Sequence, residues 1–291
     1  MAERASAVTP VVDRFVAGTS VDDALTTARE LTADKYVSLD HLGEATTDPH
    51  AAEATVDAYV AVLRRLADAG LTDRAEVSVK LSALGQALDG DGEKIARENL
   101  LHINAVAAEI GSMVTVDMED HTTTDSTLQI VRDVRVDFPT TGTVLQASLR
   151  RTESDCADLA GPGSRIRLCK GAYDEPISVA YRDKDEVDAS YIRCMRILMT
   201  GQGHPMLATH DPALITVGEQ MALAAGRSRD AYEFQMLYGI RPQHQQRIAD
   251  SGSRLRIYVP YGTEWYPYFM RRLGERPANV AFFLRSFAGR S

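Results

Sequence analysis

Short apolar runs rich in β-branched residues recur along the chain, and longer amphipathic stretches separate them. We predict eight strands, at KYVSLD (35–40), EVSVKLS (76–82), MVTVDM (113–118), TVLQAS (143–148), RIRLCK (165–170), PMLATH (205–210), YEFQML (232–237) and LRIYVP (254–259). Between most of them, apolar residues recur at helical spacing, as in AAEATVDAYVAVLRRLAD, EKIARENLLHINAVAAEI and VGEQMALAAGRSR. Strands that alternate with helices indicate a parallel sheet.

Eight such units predict a (β/α)₈ barrel, and an open doubly wound sheet is the alternative. The stretches VTPVVDRFV and VDDALTTARELTA precede the first strand and predict leading helices. We therefore expect an N-terminal helical segment over 1–34 and a catalytic barrel over 35–291, together one domain. A barrel of 291 residues is of ordinary size.

Polar side chains stand at most of the predicted strand ends. The eight end residues are Asp40, Lys80, Asp117, Gln146, Lys170, His210, Leu237 and Tyr258. Barrel enzymes carry their active sites at the carboxyl ends of the strands, and charged groups are rarely buried without partners. A single strand-end aspartate often caps the next helix. The set as a whole predicts an active site.

The C-terminal stretch YFMRRLGER predicts a helix with a polar face. Tyr268, Arg271, Arg272 and Glu275 fall in one sector of that helix, whereas Phe269 and Leu273 fall on another face. A sector of this width usually holds an apolar stripe that faces the core, so one interpretation is that the helix presents a polar cluster to a binding partner. The alternative is a solvated face with an Arg271–Glu275 ion pair.

Composition narrows the class of protein. The net charge of −9 argues against a general nucleic-acid binder, although a local basic pocket for an acidic small molecule remains compatible with it. The three cysteines, Cys156, Cys169 and Cys194, form no CxxC pair, which favours a reducing compartment over a disulfide framework. Neither a secretory signal nor a run of about 18 apolar residues is visible. We expect a cytoplasmic protein.

Several common active-site motifs are absent. The chain has no G-x-G-x-x-G after a strand, no P-loop, no HExxH and no G-x-S-x-G. His121 and His210 lack a second clustered histidine, so we predict no metal and expect His210 to be a hydrogen-bonding strand-end residue. A lysine on a barrel strand can form a Schiff base. Lys80 or Lys170 therefore supports a cofactor-free lyase or aldolase as an alternative function.

Nine stretches together resemble one family. They are SLDHLGEA, VKLSALG, VDMED, LQASLRR, RLCKGAYDE, LATHD, EFQMLYGI, RIYVPYG and YFMRRLGERPAN, and they run in order from about residue 36 to 284. In these the chain resembles the bacterial proline dehydrogenases, the flavoenzyme family that also forms a domain of bifunctional proline-utilisation proteins. The resemblance implies a distorted (β/α)₈ barrel whose last helix lies over the mouth. It also implies FAD held without a Rossmann fold.

The resemblance implies a role for each matched position. Arg271, Arg272 and Lys80 would bind the proline carboxylate, Glu275 would orient the arginines, and Leu237, Tyr258 and Tyr268 would wall the ring. Asp117 would be an active-site acid, and Arg167 would lie near the reactive flavin nitrogen. The residues that would contact the cofactor are Met118, Gln146, Arg167, Lys170, Gly171, Ala172, Thr209 and His210.

The family's reaction follows from this assignment as an expectation. L-Proline would lose a hydride to FAD and become 1-pyrroline-5-carboxylate, with Arg167 stabilising the charge gained by the flavin. Electrons would then pass to a membrane quinone, which the protein would approach as a peripheral protein at the inner face of the cell membrane. The length leaves no room for a second, aldehyde-oxidising domain, so we expect the monofunctional form. A non-catalytic amino-acid-binding barrel is a further alternative.

Overall fold

Eight parallel strands form a closed barrel in the computed structural model, which describes residues 12–43 and 45–274. The strands are β1 (Tyr36–His41), β2 (Ala75–Val79), β3 (Val114–Val116), β4 (Gly142–Gln146), β5 (Arg165–Cys169), β6 (His204–Ala208), β7 (Glu233–Leu237) and β8 (Leu255–Tyr261). Each strand pairs with the next, and β1 pairs with β8 to close the ring. The predicted (β/α)₈ barrel is confirmed, and the open-sheet alternative is wrong.

Helices surround the barrel. They are α1 (Val21–Leu31), α2 (Pro49–Asp68), α3 (Gly92–Glu109), α4 (Thr124–Val134), α5 (Thr152–Leu159), α6 (Lys184–Thr200), α7 (Pro212–Ala224), α8 (Pro242–Asp250) and α9 (Trp265–Gly274). A π-helical turn (Ser82–Gln86) follows β2, and a 3₁₀ turn (His121–Thr123) follows β3. Helix α1 confirms one leading helix, whereas the start of VTPVVDRFV lies outside the described residues. Within the described ranges, no helix has both the length and the apolar character needed to cross a membrane.

Some elements begin or end elsewhere than predicted. Strand β2 ends at Val79 and not at Ser82, because the chain turns into the π-helical turn there. Helix α7 begins at Pro212, five residues before the predicted stretch. The side chain of Asp211 accepts a hydrogen bond from the Ala213 amide, and the proline occupies the first turn, where its missing N–H costs nothing.

The two faces of the strands differ in polarity. Alternate residues such as Val77 and Val79 belong to the main hydrophobic core together with residues of the surrounding helices. The residues between them, Glu76 and Ser78, are buried and polar. Because successive side chains of a strand point to opposite faces, the polar set lies inside the barrel. The barrel therefore has an apolar exterior under its helices and a polar interior.

Helix α9 lies over the carboxyl ends of the strands. Tyr268 and Phe269 form a second hydrophobic cluster with Leu42, which follows β1, and with Val12, Phe15 and Val16 of the N-terminal segment. Ile240, Tyr258 and Trp265 pack against the same cluster. Arg271 lies over the ring of Tyr173, in the loop after β5, with 5.9 Å between the guanidinium carbon and the ring centroid. These contacts place α9 across the barrel mouth.

Candidate active site

The predicted acid, Asp117, directly follows β3 and binds three side chains of the barrel interior. Its Oδ1 accepts hydrogen bonds from Arg167 Nη1 at 2.5 Å and from the Ser78 hydroxyl at 2.8 Å. Its Oδ2 accepts a hydrogen bond from the Tyr258 hydroxyl at 2.8 Å. Burial and the neighbouring carboxylates of Asp117 and Asp40 raise the pKa of the Tyr258 phenol well above its ordinary value. The phenol therefore stays neutral and keeps donating to Asp117.

Lys80 and Asp40 form a buried ion pair at the neighbouring strand ends. Lys80 Nζ lies 2.7 Å and 2.8 Å from the two oxygens of Asp40, and both residues are buried. The hydroxyl of Tyr59 lies 3.5 Å from the same carboxylate and donates to the Ser78 carbonyl at 2.8 Å. The ammonium of Lys80 is thereby held at the mouth with its charge balanced. A lysine that forms a Schiff base must attack as a free amine, an arrangement that this bidentate pair does not favour.

Arg167 extends from β5 into the barrel interior and reaches side chains of β1, β2 and β7. Its Nε donates to Gln235 at 2.5 Å, Nη1 donates to Ser78 and Asp117, and Nη2 donates to Ser38 at 3.3 Å. Its guanidinium carbon lies 5.3 Å from the centroid of the Tyr258 ring. The side chain is buried, so its positive charge is held in one position below the mouth and is shielded from solvent.

The predicted cofactor contacts lie together on the β3–β6 side of the mouth. Gln146 Nε2 donates to the Glu119 carbonyl at 2.7 Å, and Met118 and Thr209 are buried. The Thr209 hydroxyl accepts from the Asp211 amide at 3.1 Å, and His210 Nε2 accepts from the Leu237 amide at 3.4 Å. Met118 follows β3, Gln146 ends β4, and Thr209 and His210 follow β6, which is separated from β4 by β5 alone.

The loop after β5 supplies the remaining three positions of this group. Lys170 Nζ forms ion pairs with Asp188 and, at 3.5 Å, with Asp211. Gly171 and Ala172 are exposed. Gly171 has φ +115°, and a Cβ there would lie 2.2 Å from the Ser148 hydroxyl oxygen. This position therefore requires glycine, which leaves the backbone of the loop accessible at the mouth.

The predicted substrate contacts occupy the opposite side. Leu237 and Tyr258 lie on β7 and β8, and Tyr268, Arg271 and Arg272 lie on α9. Arg272 is only 9% exposed and its guanidinium carbon lies 5.2 Å from the Tyr268 ring centroid, so it does not belong to a solvated face. Arg271 is partly exposed and reaches the opposite wall at Tyr173. Glu275 lies outside the described residues.

A second polar layer, which the sequence did not predict, lies below these residues. The side chains of Glu76, Arg165, Glu233 and Arg256 are buried inside the barrel as ion pairs. The sequence did contain a signal for these four residues. Within a predicted strand, a charged residue stands two or four positions before a predicted site residue, as Glu76 does before Lys80 and Arg165 before Arg167. Side chains two apart on a strand point to one face.

A hydrogen-bonded clamp, also not predicted from the sequence, joins two loops at the mouth. Glu175, in the loop after β5, is buried and accepts a hydrogen bond from the His121 amide at 2.9 Å. Its second oxygen pairs with His121 Nδ1. The clamp joins the loop after β3 to the loop after β5, both of which carry predicted cofactor contacts. Nothing in the local sequence links residues that lie 54 positions apart.

Comparisons with known proteins show which family the sequence is similar to. The family model described as "Proline dehydrogenase" matches residues 24–285. A Proline dehydrogenase of Deinococcus radiodurans is 40% identical over 278 residues, which are 94% of this chain and 89% of that protein. Proline dehydrogenase 2 of Bacillus subtilis is 38% identical over 270 residues, which are 92% of this chain and 88% of that protein.

A solved structure has the same fold. The crystal structure of proline utilization A from Bdellovibrio bacteriovorus, inactivated by N-propargylglycine, superposes with a TM-score of 0.85 at 26% identity. The match covers 91% of this chain and 32% of that one, so the chain spans about a third of that longer protein. The family model and the curated relatives both cover most of the sequence, and the chain therefore belongs to the proline dehydrogenase family.

Proposed function

We propose that the protein oxidises L-proline to 1-pyrroline-5-carboxylate with FAD, and that the electrons pass on to a membrane quinone. Family membership supports the reaction class. One observation carries the proposal. Arg272 on α9 and Arg167 on β5 are both buried, and they approach one barrel mouth from two sides. Tyr258 contacts both sides, because its ring lies next to the Arg167 guanidinium and packs against the hydrophobic cluster that contains Tyr268 and Phe269 of α9.

Arg271, Arg272 and Lys80 would bind the proline carboxylate. Guanidinium groups form charge-assisted, bidentate hydrogen bonds with carboxylates. Because consecutive helical residues diverge by about 100°, both arginines reach one anion only if it lies beneath the helix. The position of α9 across the mouth supports that arrangement.

The ring of proline would lie against Leu237, Tyr258 and Tyr268. Tyr258 packs against the cluster that contains Tyr268, so the three side chains belong to one wall. The Tyr258 hydroxyl is occupied by Asp117, which leaves the aromatic ring and not a free donor to face the substrate. Such a wall suits an apolar ring with a carboxylate at one end.

FAD would lie on the side of the mouth formed by β3 to β6, and the residues there support this assignment. The glycine-only position at Gly171 leaves exposed backbone next to Lys170, and Gln146 is oriented by a backbone carbonyl. The residues that would hold the cofactor are Met118, Gln146, Arg167, Lys170, Gly171, Ala172, Thr209 and His210. When bound, FAD supplies the hydride acceptor. The chain's own contribution is to orient the substrate, to keep water from the ring and to hold the Arg167 charge in place.

The ring nitrogen of proline must be neutral before the adjacent carbon can release a hydride. Asp117 is paired with Arg167 and Tyr258, and Asp40 is paired with Lys80. Because both carboxylates are already paired, we propose that the bound amine loses its proton to water or a base in solution before hydride transfer. Delivery of the electrons to a quinone would bring a cytoplasmic protein to the inner face of the cell membrane as a peripheral partner.

Anaerobic addition of L-proline to the purified protein tests the proposal. We expect a flavin absorption spectrum that L-proline bleaches. A colourless protein that borohydride traps with a carbonyl compound would instead identify a lysine-dependent lyase, at Lys80 or Lys170. A yellow protein that binds L-proline without bleaching would identify a non-catalytic binder. Either of these results contradicts the proposed function.

A further inference from the structure

A network of buried charged side chains fills the barrel below the site. It consists of Glu76, Arg165, Glu233 and Arg256, which are between 0% and 6% exposed. Arg165 Nη2 donates to Glu76 at 2.5 Å, and Arg256 Nε donates to Glu233 at 2.7 Å. Removing water from four charges is costly, and isosteric apolar residues usually serve stability as well or better. The network therefore calls for a role besides stability.

Gln235 connects this network to Arg167. It follows Glu233 by two residues on β7, so both side chains point into the barrel. Gln235 Nε2 donates to Glu233 Oε1 at 2.6 Å, and Gln235 Oε1 accepts from Arg167 Nε at 2.5 Å. A carboxylate only accepts and a guanidinium only donates. The Gln235 amide consequently has one orientation that satisfies both neighbours.

Arg256 fixes that orientation from below. Its Nε and Nη2 donate to the two oxygens of Glu233 at 2.7 Å and 3.2 Å, and Nη1 donates to the Val37 carbonyl at 2.9 Å. The hydrogen bonds form a chain that leads from Arg256 through Glu233 to Gln235. It continues from Gln235 to Arg167 and ends at Asp117 at the mouth. Each contact is buried or partly buried, so water does not replace a lost partner freely.

We propose that Gln235 is a positioning residue for Arg167, and that it sets how closely the Arg167 charge approaches the hydride-accepting end of the flavin. This inference rests on the proposed function. Without Gln235, the Nε edge of the guanidinium loses its partner. Arg167 then keeps only Asp117, Ser78 and Ser38 and, deeper in the barrel, the carboxylate of Glu76 at 3.9 Å, so its position is no longer fixed from the β7 side. The positive charge then stabilises the electron-rich flavin less. Hydride transfer slows and the flavin midpoint potential falls, whereas binding of the carboxylate at α9 is unaffected.

The test compares Gln235→Met with a matched control in the flavin-loaded protein. Asn104 is also a buried amide, which donates to the Leu100 carbonyl at 2.9 Å and accepts from the Thr141 hydroxyl at 2.8 Å, but it belongs to α3. Asn104→Leu therefore also removes one donated and one accepted hydrogen bond of a buried amide, both to neutral partners and away from Arg167. For Gln235→Met we expect flavin reduction by L-proline to slow about tenfold or more and the midpoint potential to fall. Asn104→Leu should change neither quantity, although both variants should melt earlier.

Binding of a substrate analogue separates positioning from general damage. Tetrahydrofuran-2-carboxylate has a ring oxygen in place of the nitrogen, so it probes the carboxylate site without turnover. Its dissociation constant should stay within twofold of the parent value in Gln235→Met. Gln235→Asn, whose amide is one methylene too short to bridge both neighbours, should give the same pattern and serves if the methionine variant does not retain flavin.

Two results would overturn the inference. The first is that, in both Gln235 variants, the rate of flavin reduction and the flavin midpoint potential equal those of the parent protein within experimental error. The other is an equal fall of both quantities in Asn104→Leu, which would show that any buried amide has this effect. A parent protein whose flavin L-proline does not bleach would instead contradict the proposed function, so the two failures are distinguishable.

Discussion

At the scale of single residues, Arg271 and Arg272 decide whether the mouth binds a carboxylate. Arg272→Met should weaken L-proline binding by roughly 30-fold to a few thousand-fold, because truncating one partner of a desolvated charged pair costs about 2–5 kcal/mol. Arg271→Met should fall in the same range. Titration of L-proline against the oxidised flavin spectrum measures both.

Arg150 provides the control for the arginine pair. It is exposed, lies 4.5 Å over the Tyr181 ring and donates to the Ile177 carbonyl, so it resembles Arg272 in its aromatic contact but not in burial. Arg150→Met should bind L-proline within twofold of the parent. Parent-like affinity in both Arg271→Met and Arg272→Met would rule out the carboxylate clamp.

A second prediction concerns the pH dependence of kcat/KM and the protonation state of Tyr258. The bound amine must be deprotonated, so kcat/KM should rise as pH increases. The Tyr258 pKa is raised well above the ordinary value of about 10, chiefly by burial and by the Asp117 charge. The phenol should therefore not titrate below that pH, and Tyr258→Phe should keep the same rising profile at a lower rate. A fall in kcat/KM between pH 8 and 10 that disappears in Tyr258→Phe would contradict this.

At the scale of elements, the loop after β5 depends on one glycine. Gly171→Ala requires φ near +115° for a residue with a Cβ and brings that atom against Ser148. Such a backbone conformation costs about 1–3 kcal/mol, and the contact forces the loop to move. We expect weaker flavin retention after gel filtration and a lower melting temperature.

Gly163→Ala is the matched variant for the loop. Gly163 also has positive φ, at +75°, but a Cβ there meets nothing within 4 Å. It should lose stability to a similar or smaller extent and retain flavin like the parent. Equal flavin retention in the two alanine variants would remove Gly171 from the cofactor side of the site.

The elements were largely predictable, and the contacts between them were not. Runs such as TVLQAS and LRIYVP indicate strands because they are short and contain apolar and β-branched residues, and eight of them separated by helical stretches specify the barrel. The resemblance then placed Asp117, Arg167 and Tyr258 at one site. The pairing of Lys80 with Asp40, of His121 with Glu175, and of Gln235 with Arg167 depends on register and loop packing, which no local pattern encodes.

At the scale of the whole molecule, the buried network links stability to pH. Burial alone would raise the pKa of Glu233, but Arg256 outweighs it and holds the pKa well below its ordinary value. Burial opposes Arg165 and Arg256 in the same way at Glu76, where the pKa is also lowered. Carboxylates with a depressed folded-state pKa stabilise the protein above the unfolded-state value of about 4.3 and lose that contribution as pH falls. The melting temperature should therefore drop steeply below about pH 4.

Glu233→Gln tests the same network at neutral pH. It replaces one of the two buried carboxylates that pair with Arg256 by a neutral amide, and Glu76, 3.7 Å from Arg256 Nη1, remains as the other. Breaking a buried ion pair in this way typically costs about 3–5 kcal/mol of unfolding free energy. Glu219→Gln, at an exposed position on α7, should change the unfolding free energy by less than about 0.5 kcal/mol. Chemical denaturation measures both, and equal stability of the two variants would show that the network contributes little.

The central claim is that this mouth transfers a hydride from proline to FAD. An anaerobic single turnover with a limiting amount of L-proline tests it most directly, when the flavin spectrum and the mass of the product are followed together. We predict that one flavin is bleached for each proline consumed, and that the product is proline less two hydrogens. Loss of proline without bleaching, or bleaching without a product of that mass, would contradict the account.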